Sequence, residues 1–326
     1  MPRTCSISID IDTLRFYHQI HGLPTPDHTQ ADPVYTHAMP RFLELFAKLG
    51  IRATLFVIGE DLHHPVHKKL LQQAVAEGHE LANHTQRHPY RLTQRHPLAI
   101  EEEIAHAEAA IEALLPEGKQ VVGFRCPGYN TSPEVLSILR KRGYQYDSSV
   151  FPCPPYYIAK GLVMSWLSLR GRPSRSMLGS PRVLFAPSQP YQPGENPHTR
   201  TKQPRAFTYP TYQRQPNNEA LWEIPMPVLA GLPLPFIGTN ILLFPALALK
   251  LLTPLFARQY PLLNIELHAI DFLDPKVDPF LEQLSNKQPD LSVPLHEKHK
   301  RFSSTFSTIS NTHSFLPLAE AVPLLS

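Results

Sequence analysis

The sequence predicts an α/β chain built on a parallel sheet, open or closed into a barrel, with a long proline-rich excursion between its two ends. Three observations predict it. Short runs that alternate apolar and polar residues recur through the first half of the chain, and segments with apolar residues at helical spacing lie between them. The pattern breaks after Phe151, where roughly one residue in five is proline as far as Pro235.

The elements follow in order. Ser6-Ile-Ser-Ile-Asp-Ile-Asp12 puts Ser6, Ser8, Asp10 and Asp12 on one face and Ile7, Ile9 and Ile11 on the other, which predicts a strand. Phe42, Leu45, Phe46 and Leu49 predict a helix over 38–50, stopped by Gly50. A buried strand is expected over 52–58, a helix over 67–77 closed by Gly78, and a short strand over 79–82. Ile100, Ile104, Ala107 and Ile111 mark a helix over 97–115. Residues 123–125 read as strand, 133–142 as a helix ending at Gly143, and 144–149 as the next short strand. Two apolar helical pieces, 157–169 and 241–257, flank a polar, aperiodic middle from Ser188 to Asn218. Regular structure resumes with the alternating strand 262–268, a helix near 295–309 and a last helix over 318–325. The expected organisation is one domain: 1–150 as the first part of the barrel, 151–260 as a proline-rich insertion, and 261–326 as the last barrel strand and C-terminal helices.

Composition bounds the function. Of 326 residues, 42% are hydrophobic and 18% charged, enough for a large core and too apolar for global disorder. Net charge is +3, and Lys and Arg are scattered, so no nucleic-acid partner is expected. Cys5, Cys126 and Cys153 are too few for a disulfide scaffold and match no zinc-cluster spacing. Met1 to Asp12 is too polar for a signal peptide. The most apolar run, 236–257, is broken by Pro245 and Pro254 and carries Lys250, which argues against a span. A cytoplasmic location is expected, with peripheral membrane contact through 236–257 as the alternative to packing on the barrel.

Four stretches hold chemistry-bearing side chains. His84-Thr-Gln-Arg-His88 places two imidazoles four apart, as on one helical turn, a metal-chelating spacing that also arises by chance in a chain with 17 His. A zinc protease would need Glu after the first His, and Thr85 stands there. Asp10 and Asp12 point the same way at the end of a strand, where α/β active sites form; they would otherwise be solvated or capping residues. Arg125-Cys-Pro-Gly-Tyr129 follows a strand with a forced turn, and Arg125 suits two-pronged contact with a carboxylate. His268 shares an alternating face with Asn264 and Glu266, where a lone His is more often structural.

In chain order, Asp10-x-Asp12, His84-Thr-x-x-His88, Phe124-Arg-x-Pro-Gly-Tyr129 and Leu267-His268 resemble the NodB-type polysaccharide deacetylases, carbohydrate esterase family 4. The resemblance covers residues 6 to about 149 and resumes from 262. It implies a distorted (β/α) barrel of about seven strands and one divalent metal, most often Zn2+. It further implies Asp12, His84 and His88 as metal ligands, Asp10 as general base oriented by Arg125, and His268 as general acid. Tyr129 would offer its backbone N–H to the oxyanion. The implied reaction is removal of an N-acyl group, usually N-acetyl, from an amino sugar or polysaccharide by metal-activated water.

The chain departs from the usual family pattern in three places. Ile11 separates the two aspartates, Ala269 stands where many members carry Asp after the late His, and Tyr146-Asp-Ser-Ser149 does not align with the usual acidic-tryptophan segment. Glu266 or Asp271 is then the candidate to orient His268. The Asp-x-Asp start and the apolar stretches also resemble deformylases of polyprenyl-phosphate-linked amino sugars. A third reading, from another class, is a glycan-binding protein without turnover.

Overall fold

In a computed structural model, residues 3–26, 30–171, 174–194 and 221–325 are described. The polar middle expected between Ser188 and Asn218 lies outside them from residue 195 onward. Eight strands appear in this part of the chain: β1 (Thr4–Asp10), β2 (Thr54–Val57), β3 (Glu80–Asn83), β4 (Gly123–Phe124), β5 (Tyr146–Asp147), β6 (Trp222–Glu223), β7 (Leu262–His268) and β8 (Ser314–Phe315). Seven of them run β6-β5-β4-β3-β2-β1-β7, every pair parallel, in the curled sheet of a NodB-like (β/α) barrel. β7 pairs β1 along its whole length, from Thr4↔Leu262 to Asp10↔His268. The opposite edge of β1 is shared, with Thr4 and Cys5 on β8 and Ser8 to Asp10 on β2.

The helices are α1 (Leu14–Ile20), α2 (Met39–Leu49), α3 (Pro65–Ala76), α4 (Pro97–Glu112), α5 (Pro133–Lys141), α6 (Pro154–Leu169), α7 (Gly238–Leu243), α8 (Ala246–Gln259), α9 (Leu295–Ser310) and α10 (Leu318–Ala321). Their ends follow local chemistry. Gly50 closes α2 in the left-handed conformation. Pro133 starts α5 one residue after Ser132, whose hydroxyl caps the amide of Val135 at 3.3 Å.

Ile7 and Ile9 of β1, Leu55 and Val57 of β2 and Ile265 and Leu267 of β7 join Phe42, Phe46, Phe302 and Phe306 of the helices in one core. The alternate residues of β1 and β7 are equally enclosed, because the sheet curls around them. Ser6, Ser8, Asp10, Asn264 and Glu266 are all buried, so the alternation marks a polar barrel interior and an apolar helix-facing side.

Two elements differ from the sequence reading. The segment expected as one helix over 241–257 is two, because Phe244 is extended ahead of Pro245, whose ring removes the amide a continuing helix needs. β6 falls inside the stretch read as insertion and extends the sheet beyond β5. Of the apolar residues in 236–257, Phe236, Ile241, Leu242, Leu249 and Phe256 join the core, whereas Leu247, Leu251 and Leu255 stay exposed. Among the described residues no helix is long and apolar enough to cross a membrane.

Candidate active site

The parallel strands deliver their last residues to one rim. Asp10 ends β1 beside His268, the last residue of β7. Asn83 of β3 pairs Phe124 of β4, so His84 and Arg125 leave the sheet side by side. Asp12 lies two residues past β1. Asp10, Asp12, His84, His88, Tyr129 and His268 line one cavity of about 260 Å³, with Arg125 behind Asp10. The arrangement follows the rule that the carboxyl ends of parallel strands form the site.

The expected helical turn at 84–88 is instead a loop. Thr85 and His88 adopt left-handed backbone, φ 69° and 52°, a conformation that strains a β-branched residue. Local hydrogen bonds hold it there. The amide of Thr85 donates to Asn83 Oδ1 at 2.7 Å and the amide of His88 to Thr85 Oγ1 at 3.0 Å. Asn83 is itself anchored, since its Nδ2 donates to the Ile104 carbonyl at 2.9 Å and to Tyr144 Oη at 2.8 Å. Neither Asn83 nor Thr85 was read as a site residue; the Asn immediately before His84 was the available signal.

The loop brings both imidazoles onto Asp12. Its Oδ1 lies 3.5 Å from His84 Nε2 and 3.3 Å from His88 Nε2. His84 Nδ1 donates to the Arg125 carbonyl at 2.7 Å, which fixes the tautomer and turns the other nitrogen toward Asp12. Asp12 Oδ1 and both nitrogens of His88 are buried without a hydrogen-bond partner. Orphaned acceptors facing one another are costly. Two imidazole nitrogens and a carboxylate oxygen within 4.8 Å of each other are a donor set that fits a divalent cation of the zinc kind. Burial pushes His88 down to about 4, so its ring is neutral near pH 7. At His84 burial acts the same way, but the carboxylates of Asp10 and Asp12 outweigh it and raise its pKa. Burial would raise Asp12, yet His88 and His84 overrule it and hold the carboxyl well below the usual range.

Asp10 is held differently. Arg125, fully buried, donates from Nη1 to Asp10 Oδ1 at 2.6 Å, from Nε to the Ser148 carbonyl at 2.8 Å, and from Nη2 to Ser8 Oγ at 2.8 Å and Ser148 Oγ at 2.9 Å. Its guanidinium carbon lies 4.0 Å from the centre of the Phe56 ring. Asn264 closes the network, accepting from Ser8 Oγ at 2.9 Å and donating to Ser148 Oγ at 3.0 Å. Asp10, Glu266 and His268 form a second cluster of potential ligand atoms, but Arg125 already supplies the cation that Asp10 faces.

His268 is oriented by Glu266, whose Oε1 lies 2.8 Å from its Nδ1. Asp271 instead accepts the backbone amide of His268 at 2.9 Å. Burial disfavours the charged ring, but Glu266 and then Asp10 raise the pKa of His268 well above its ordinary value.

Tyr129 stands at φ 61° after Gly128 at φ 66°, and its amide donates to the Cys126 carbonyl at 3.2 Å within the turn. Its phenol oxygen faces the cavity, 3.5 Å from His268 Nε2. Asp147 does not line the cavity. It accepts a hydrogen bond from Ser149, whose Oγ in turn accepts the Cys126 amide at 2.8 Å, and so braces the Arg125 turn from behind.

The curled parallel sheet, with a buried carboxylate–imidazole cluster on its carboxyl rim, is that of a NodB-like (β/α) barrel. Residues 30–146 match the sequence profile of the polysaccharide deacetylase family, and this stretch carries His84, His88, Arg125 and Tyr129. Over this stretch the chain is similar to the polysaccharide deacetylases.

It is 37% identical over 98 residues to a chitooligosaccharide deacetylase of Rhizobium leguminosarum bv. phaseoli, covering 30% of this chain and 42% of that protein. It is 31% identical over 114 residues to a peptidoglycan-N-acetylglucosamine deacetylase of Bacillus cereus, covering 35% and 49%. The chain thus matches less than half the length of these relatives. A crystal structure of a Mycobacterium smegmatis protein assigned to the polysaccharide deacetylases superposes with a TM-score of 0.56, at 15% identity, over 99% of this chain and 90% of that one. At that identity the likeness concerns the fold.

Proposed function

We propose that this chain is a metal-dependent hydrolase that removes an N-acyl group, in the first instance acetyl, from an amino sugar of an oligo- or polysaccharide. The observation that carries the proposal is the convergence of Asp12, His84 and His88, at 3.3–3.5 Å, beside the Arg125-bound carboxylate of Asp10. The family relatives support the sugar amide as substrate. In this reading 1–150 and 261–326 build one catalytic barrel around the excursion 151–260, which contributes β6 and part of the cavity wall.

Asp12, His84 and His88 hold the cation, and zinc suits their nitrogen and oxygen donors. Such a cation, when bound, makes water more acidic and stabilises negative charge. Asp10, aimed by Arg125, takes the proton of the attacking water. His268, charged beside Glu266, gives a proton to the departing nitrogen, which would otherwise leave poorly. Tyr129 contributes its phenol at the same end. Amide and water become a free amine and a carboxylate. The cavity lies just below the roughly 300–1,000 Å³ of typical ligand sites, a size suited to one acylated sugar unit.

One observation favours a second reading, a phosphate-bearing amino sugar such as a polyprenyl-phosphate conjugate. Lys160 lines the cavity, where burial pushes it down to about 8 and its Nζ donates to the Gly128 carbonyl at 3.4 Å. A substrate panel separates the readings. Acetate or formate release is measured from N-acetyl and N-formyl sugars, free, oligomeric and phosphorylated, after chelation and after zinc is restored. Release that chelation abolishes and zinc restores is the expected result; binding without release on every substrate would favour a glycan-binding protein instead. Zinc content gives an independent check. About one equivalent per chain is expected, lost when His84 and His88 are both changed to Ala, and stoichiometric zinc in that double variant would show the ligands to be misplaced.

Glu266→Gln tests the acid. Removing the carboxylate that raises His268 lowers the pKa of the ring. Because His268 acts in its protonated form, the alkaline limb of the kcat profile should move to lower pH, with KM little changed. An unmoved alkaline limb would remove Glu266 from the assignment.

A further inference from the structure

Helix α6 faces the wrong way for a helix in water. Its sixteen residues pack inward through Leu167, while Tyr156 and Lys160 on the same side line the cavity. Surface helices ordinarily turn their polar side outward. Here Ile158, Leu162, Trp166 and Leu169, spaced to form one stripe, point outward and are 64%, 67%, 51% and 88% exposed. The following segment extends the patch with Leu178, also exposed, close against Gly161. Isolated exposed apolar residues need no explanation, but a contiguous stripe marks a contact surface.

Charge identifies the partner. From Ser148 to Gly194 the sequence holds five basic residues, Lys160, Arg170, Arg172, Arg175 and Arg182, and no Asp or Glu. The whole chain is only +3, so this excess is local. Arg170 lies over the Trp166 ring at 4.0 Å, at the end of the stripe, and Arg175 and Arg182 are exposed. An apolar helix face with an aromatic ring and flanking arginines suits the boundary between lipid headgroups and acyl chains, where apolar burial and attraction to anionic lipid add. At sixteen residues α6 is too short to span, so it would lie in the interface plane.

We propose that the outward face of α6 docks this protein on an anionic lipid bilayer. The surface differs from Leu247, Leu251 and Leu255 of α8 and does not depend on the deacetylase reading. Because the inner side of the same helix forms part of the cavity wall, docking would set the catalytic cavity one helix diameter from the lipid surface, roughly 10 Å.

The test is flotation of the full chain with phosphatidylcholine vesicles, with and without one third phosphatidylglycerol. Anionic lipid should raise the bound fraction by at least about tenfold, an effect that added salt reverses. The paired substitution Leu162→Glu and Trp166→Glu should abolish binding while far-UV dichroism and melting stay unchanged, because both side chains are outward. Arg170→Gln with Arg175→Gln keeps the apolar stripe and should lose only the preference for anionic lipid. No binding to either vesicle would overturn the proposal, as would equal binding by the Glu pair. A concentration-dependent dimer that the Glu pair dissolves, without vesicle binding, would assign the face to a second copy of the chain and equally refute it.

Discussion

Asp10→Asn is expected to lower N-acyl hydrolysis by about 10²–10⁴-fold, the range for losing a positioned general base. Asn keeps the size of Asp and a carbonyl oxygen for Arg125 Nη1, now 2.6 Å from Asp10 Oδ1, but at neutral pH it accepts no proton from water. The loss should fall on kcat, because the cavity and the Asp12–His84–His88 cluster remain. Zinc content should therefore be unchanged, which separates a missing base from a missing cation. Activity comparable to the parent would move the base elsewhere and leave the Asp10–Arg125 pair with a structural role.

The frame of this site was legible because its strands alternate. Asp10 and His268 could each be read as strand ends, and each is the last residue of its strand. Their juxtaposition depends on the register Asp10↔His268, which no local pattern contains. The spacing of His84 and His88 was visible, but four residues can bring two rings together on a helix or through a left-handed loop. The choice rests on Asn83 and Thr85, whose hydrogen bonds override helical propensity. Ser8, Ser148 and Asn264 read as ordinary polar positions because alternation separates two faces without saying which one the barrel encloses. β6 was invisible: two residues cannot show a period. The apolar composition of 157–169 was legible as a helical piece, and only its neighbours show that the apolar side of α6 is outward. Glu266 was one of two candidates to orient His268, and distance chooses it over Asp271 for the ring.

Arg125→Met is expected to destabilise the fold by about 3–5 kcal/mol, the cost of leaving one member of a buried pair without its partner. Arg125 carries four hydrogen bonds at 2.6–2.9 Å, and its removal strands Asp10 in the barrel interior beside Glu266, also buried. Ser8 Oγ and the Ser148 carbonyl lose donors at the same time. Lys in its place would restore the charge but not the fork that reaches Asp10 and Ser148 together, so only part of the stability should return. The informative comparison is Arg125→Met combined with Asp10→Asn. If the cost is chiefly the uncompensated carboxylate, the double variant should be more stable than the sum of the two losses implies, by a coupling of about 1–3 kcal/mol in urea midpoints. Strict additivity would mean that Arg125 braces the barrel through Ser148 and Phe56 and that Asp10 does not depend on its charge. The general base would then need its orientation from elsewhere, since no other described guanidinium or ammonium lies within ion-pair distance of Asp10.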